Sequence, residues 1–296
     1  MRNAGRRFLP DLATTGRPAL LFLAALLLAG CGADLYEERL ANTRSMFAHQ
    51  DQLNQNLQAA WGDGETRIGL RPPTQFVMLP PPAKPAPDPA AGKGQPGDKK
   101  AGEETEAEEE VEVIDDRQPA YMNIALPGLR GAFRAPLIYS ADNNATREGE
   151  GFLYVLSNHH LAEQPDKAKE FERDFIKELS EALHLTVEAG DWRDERFPLE
   201  AKAKAAFVKS LPYRNVILTS SEDISGYVRE FAAYMYEQGD VQVIVLFVLP
   251  KDVETAAKLN DRIPLCLETL QVSGDKLMLP SAGAPAGVTG SSSGSF

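Results

Sequence analysis

Cysteine is nearly missing from this chain, with two in 296 residues, Cys31 and Cys266. A disulfide-stapled scaffold is thereby excluded, because such a framework needs several pairs. Histidine is almost as scarce at four, and no His-x-Glu, His-x-x-x-His or paired-cysteine spacing offers a metal its ligands. Positive charge is short too: 31 Lys and Arg face 43 Asp and Glu, a net charge of -12, so there is no global field for nucleic acid. Long apolar runs are also absent. The longest signal of this kind, Ala19 to Leu28, is about half the roughly 20 residues that cross a bilayer core. Gly-x-Ser-x-Gly, P-loop and dinucleotide fingerprints do not occur. Asp142-Asn143-Asn144 starts like a calcium loop, but Arg147 and Leu153 stand where Gly and Glu are required. What is present, 43% apolar and 25% charged residues, is ordinary for one or two globular domains.

The charge is unevenly spread. Residues 1–30 carry four Arg against Asp11, residues 31–102 balance at eight of each sign, and residues 103–116 hold nine acids and no base. Residues 117–279 carry 19 bases and 25 acids. The -12 therefore describes no single part of the chain.

The N-terminus has a basic stretch, then the apolar run, then the small residues Ala29 and Gly30 before Cys31. Leu28-Ala29-Gly30-Cys31 resembles the lipobox of bacterial lipoprotein precursors. The resemblance implies removal of residues 1–30 and attachment of lipid to Cys31, which anchors the chain to a membrane because each buried methylene contributes about 0.8 kcal/mol. Gly32 stands where an acidic residue would imply inner-membrane retention, so the resemblance places the protein in the bacterial cell envelope, at the outer membrane facing the periplasm. The Gly-Cys-Gly at 30–32 is expected to break any helix there.

From Asp34 to Trp61 the spacing predicts one amphipathic helix, with Tyr36, Leu40, Thr43, Phe47, Gln50, Asn54, Leu57 and Trp61 alternately four and three apart. This lipidated N-terminus and helix span 31–62. Residues 63–80 hold a possible edge strand, Arg67 to Leu79, around the corner Pro72-Pro73. Residues 81–117 read as a disordered linker: nine of the 21 prolines fall between Pro72 and Pro96, and the acidic run follows. Extended at about 3.1 Å per residue, it would reach on the order of 100 Å. The tail 280–296 has five Ser, four Gly and no charge, and is expected to be disordered.

The globular domain is expected at 118–279, long enough for one core. Tyr121 to Leu126, Phe133 to Tyr139, Gly151 to Leu156 and Tyr213 to Thr219 read as strands. Pro165-Asp166 opens a helix whose stripe is Phe171, Phe175, Leu179 and Leu183. Residues 227–250 are predicted as a hairpin around Gly239-Asp240, although 225–237 also fits a helical period. Asp252 is expected to cap a helix through Leu259, and Ile263 to Val272 closes the domain as strand or short helix. The class is α+β, a largely antiparallel sheet flanked by helices. The order of elements and the strand Val241 to Pro250 resemble the PsbP-like α/β sandwich, whose members are mostly non-enzymatic binding or assembly proteins.

Chemistry is sparse. His159 and His160 end an apolar strand, where adjacent side chains diverge and do not suit one metal ion. They remain candidates for an interaction, and the only candidates for a hydrolase-type site. Trp192 lies in the charged stretch Asp191 to Arg196, which is either a recognition patch or a salt-bridged loop. Cys266, between two leucines, reads as a buried, inert thiol. No cofactor is implied. The expected function is a membrane-anchored, non-catalytic envelope lipoprotein whose domain binds a partner protein or small ligand. The alternative is a secreted hydrolase with its site near His159 and His160.

Overall fold

The computed structural model describes residues 16–82, 115–122, 124–141, 145–198 and 209–277, with side chains from residue 34 onward. The N-terminal basic stretch, most of the linker and the tail lie outside the described residues.

A helix, α1 (Gly16–Asn56), comes first, and it overturns two expectations. It passes through Gly30-Cys31-Gly32 without a break, because the roughly 1 kcal/mol that each glycine costs a helix is spread over strong helix formers on both sides. It also stops at Asn56, before Trp61. Only the C-terminal end of the expected seam packs: Tyr36 and Phe47 are 68% and 60% exposed, whereas Leu57 is buried and Trp61 packs against the core. Leu53, outside the seam, is buried as well, and His49 pairs with Glu268 at 3.0 Å. Arg71 fastens the helix end, its Nε donating to Gln58 O at 2.8 Å and its Nη2 to Asn54 Oδ1 at 3.0 Å.

Next come β1 (Trp61–Asp63), β2 (Ile68–Leu70) and β3 (Val77–Met78). The stretch expected to be one edge strand is thus two strands in two sheets, divided at Pro72-Pro73. Between residues 119 and 128 the described chain forms turns rather than the expected strand. The amide side chain of Gln118 takes the ladder's place: Leu126 N donates to its Oε1 at 2.7 Å, and its Nε2 donates to Leu126 O at 3.3 Å.

The long strands β4 (Leu129–Ser140) and β5 (Thr146–Ser157) follow, then α2 (Pro165–Ala182). β6 (Arg193–Phe197), β7 (Leu211–Thr219), β8 (Arg229–Gln238) and β9 (Val241–Pro250) come after, then α3 (Leu259–Glu268) and β10 (Gln271–Val272). The expected hairpin is β8–β9, turning at Gly239 with φ +61, where a Cβ would strike Asp275 O. The charged stretch after Trp192 is not a loop but the edge strand β6, where four successive charged residues discourage pairing with another chain. Asp252 does not cap a helix. It sits in a turn at φ +59, its carbonyl accepting Ser140 N at 3.1 Å, and α3 begins only at Leu259.

The fold is α+β: the described residues form two antiparallel sheets and three α-helices. The larger sheet has the order β3-β4-β5-β9-β8-β7-β6, the smaller β1-β2-β10. β9 lies at the centre with all ten residues buried, as a strand covered on both faces must be. One face packs under Phe171, Phe175, Ile176 and Leu179 of α2. The other packs against α3, the small sheet and the last turns of α1, through Leu53, Leu57, Ile68 and Phe76. At 18 residues, about 27 Å, α2 covers its face only in part. It lies toward the β8–β9 turn, where Gln242 Nε2 donates to Lys169 O at 3.1 Å. The opposite end of that face is left to residues 115–122, and the cleft described next forms there.

Candidate ligand-binding cleft

Alternation along β8 sends Phe231, Ala233 and Met235 toward α2, and it sends Arg229, at the start of the strand, to the same face. Arg229 is 2% exposed and among the largest fully buried side chains. A guanidinium taken out of water needs partners. None of the described ion pairs involves Arg229. Its Nε donates to Ile224 O at 3.3 Å and its Nη1 to Glu150 O at 3.0 Å. The rings of Tyr121 and Tyr227 lie 4.4 and 4.3 Å from the guanidinium carbon, with Phe152 at 5.7 Å. Aromatic faces attract a cation, and more strongly once water is excluded. Carbonyl dipoles and π faces thus hold the charge without neutralising it.

The space beside it, about 530 Å³, is lined by Leu79, Tyr121, Phe152, Tyr154, Tyr227 and Arg229, with Asp116, Glu148 and the paired Glu150 and Arg134 also along its walls. Tyr227 Oη fixes the loop before β8 to β5, accepting from Glu150 N at 2.8 Å and donating to Glu150 O at 3.1 Å. Two phenols meet in the interior, Tyr121 Oη and Tyr154 Oη, 3.1 Å apart. Burial pushes the Tyr121 phenol well above its ordinary range, aided by Tyr154 and opposed by Arg229. Burial likewise pushes Tyr154 up to about 12 against the lowering effects of Tyr121 and Arg229. Both hydroxyls therefore keep their protons near neutral pH. The cleft offers one buried cation without a carboxylate partner, Arg229, with neutral hydroxyl donors and aromatic walls; Arg117 and Arg134 also line it, paired with Asp115 and Glu150.

The residues singled out from sequence lie elsewhere. Cys31 is on α1, in the part where only the backbone is described. His159 and His160 sit on a single 3-10 turn, Asn158–Leu161. His159 is buried, its Nδ1 2.7 Å from Ser157 Oγ, and burial, with Arg130, lowers its pKa against Asp63 and Glu65. His160 is exposed, with Nδ1 3.1 Å from Ser157 O and its ring edge-on to Phe171 at 5.7 Å. The two diverge, and neither lines a cleft described here. A serine and histidine within hydrogen-bond distance invite a nucleophile reading. Ser157, however, is fully buried, so its hydroxyl meets no substrate in this conformation.

Trp192 is half-buried with the Arg214 guanidinium 3.9 Å from its ring, beside a second cleft of about 770 Å³ that also meets Glu172, Glu237 and Gln242. Burial pushes Glu172 up to about 7, Glu237 adding to the effect and Arg214 opposing it. That cleft lies at the β8–β9 turn, roughly 26 Å along β8 from Arg229 by strand rise.

Arg229 escaped sequence reasoning, although a signal existed. A hairpin beginning near 227 places 229, 231, 233 and 235 on one face, so an arginine at the head of that row is directed inward. Among the described residues no group of three His, Cys, Asp or Glu could hold a metal ion. No family model matches this chain, and no curated protein matches it.

Proposed function

We propose that this protein is a lipid-anchored bacterial envelope lipoprotein whose α+β domain is a non-catalytic binding module, with the Arg229 cleft as its ligand site. One observation carries the binding part: a guanidinium buried without a carboxylate borders an aromatic-walled space large enough for a small molecule. The lipobox at 28–31 supports the anchor, and Gly32 supports the outer membrane. No described helix is long and apolar enough to cross a membrane, so attachment in this proposal rests on lipid. A sheet with α2 on one face and α3 on the other supports the PsbP-like reading, and the cleft supports a small ligand over a partner protein. The hydrolase alternative rests on the 2.7 Å contact of Ser157 and His159, and burial of both weighs against it.

Two measurements test the proposal. Cys31→Ser is expected to move the chain from the membrane to the soluble fraction; retention on membranes would remove the anchor. A thermal-shift screen over small molecules of all charge classes is expected to find stabilisers whose effect is lost in Arg229→Gln. A screen in which no compound stabilises the protein would end the binding-module reading.

A further inference from the structure

We infer that the Arg229 cleft takes a small organic carboxylate, a monoanion with an apolar body, its carboxylate received in the guanidinium plane by Nη2 of Arg229. The inference rests on the binding-module reading and supplies its ligand class.

The geometry limits where a ligand can meet this cation. Tyr121 and Tyr227 lie within 4.4 Å of the guanidinium carbon, and Nε and Nη1 are occupied by Ile224 O and Glu150 O. Nη2 donates to no acceptor among the described residues, yet it is not one of the buried polar atoms left without a partner. It retains contact with the open space that Arg229 lines. A single in-plane donor edge, with charge behind it, matches a planar carboxylate. The tyrosine pair adds a second contact. When one hydroxyl donates to the other across 3.1 Å, the acceptor's own proton is left to point elsewhere, and a carboxylate oxygen in the cleft can accept it.

The walls define the rest of the ligand. Leu79, Phe152 and the ring of Tyr154 offer apolar surface, which suits a hydrocarbon or aromatic body. Arg117 and Arg134 also line the cleft but are paired with Asp115 and Glu150, which leaves Asp116 and Glu148 to disfavour di- and polyanions such as phosphate esters, while Arg229 disfavours amines. A monoanion with an apolar body satisfies all three constraints.

The test uses the intact chain in detergent at pH 7, with three probes of one shape: 3-phenylpropanoate, 3-phenylpropanamide and 3-phenylpropylamine. Calorimetry is expected to show saturable binding of the carboxylate, roughly tenfold or more tighter than the amide, with the amine weakest. Arg229→Gln is expected to abolish the preference for carboxylate over amide. If that variant does not fold, Tyr154→Phe, which removes one hydroxyl and keeps the ring, is expected to weaken the carboxylate severalfold more than the amide. Equal affinity of carboxylate and amide would overturn the ligand class and leave the binding module standing. Absence of carboxylate binding would overturn the inference, and the broad screen above then decides the module itself.

Discussion

Arg229, buried at the start of β8, and Glu172, half-buried on α2 beside the other end of that strand, are handled differently. Carbonyl dipoles and aromatic faces surround the Arg229 guanidinium. Glu172 faces a like charge in Glu237, and its Oε1 is buried without a partner among the described residues. Its neutral form is favoured, which has a consequence for stability. The unfolded carboxyl gives up its proton near 4.5, the folded one near 7. Between those values the folded state holds the extra proton, so stability falls as pH rises and the full loss is in place above about 7. The penalty is on the order of 3 kcal/mol at most. His159 acts in the opposite sense: its lowered pKa costs stability as pH falls below 6.5. Urea titrations at pH 5 and pH 8 should therefore compare wild type with Glu172→Gln, so that the histidine contribution cancels. The variant is expected to gain stability at pH 8 relative to wild type, with a smaller difference at pH 5; an unchanged pH dependence would mean that Glu172 titrates normally. Nothing about residue 172 marks it in the sequence, where it is one of many glutamates on a helix. Its neighbour Glu237 and the cation Arg214 arrive from other elements.

Among the elements, α1 shows how periodicity misleads when two candidate faces coexist. The seam from Tyr36 to Trp61 has heptad spacing, but only its end, Leu57 and Trp61 just past the helix, packs on the domain, with Leu53 of the last turn beside it. Leu57→Ala is expected to cost about 2–5 kcal/mol in a denaturant titration, as for other fully buried leucines. Tyr36→Ala, at a 68% exposed site, is expected to stay within about 0.5 kcal/mol. A large effect at Tyr36 would show that the middle of α1 packs on something. The strands were more easily read. Eight apolar residues around one glutamine marked β9 as a strand, and Gly239-Asp240 marked the hairpin. β6 was missed because charges dominate it, and charges at an edge strand answer to solvent rather than to a core.

For the whole molecule, closure of the small sheet joins the two ends of the domain. β10 pairs with β2, and Ser273 N donates to Arg67 O at 3.2 Å. The same segment serves the central hairpin: Asp240 N donates to Asp275 O at 2.8 Å, and Gln238 Nε2 donates to Val272 O and Gly274 O. A chain ending at 270 is expected to lose a few kcal/mol of stability relative to one ending at 277, since it gives up these bonds and the burial beside β2. Equal melting temperatures would show that the β8–β9 turn stands without its brace. By itself the sequence determined the α+β class, the apolar strand Val241–Pro250, the hairpin and the stripe of α2, because each is written in local periodicity that burial on one or both faces imposes. Only the tertiary structure decided that α2 stops short of one end of the sheet, that residues 115–122 cover that end, and that Arg229 lies beneath them. Tyr121, Glu150 and Phe152 meet Arg229 from distant stretches of chain, while Ile224 and Tyr227 come from the loop just before β8. Such through-space meetings follow from the order and register of the strands, and the periodicity of any single segment does not record them.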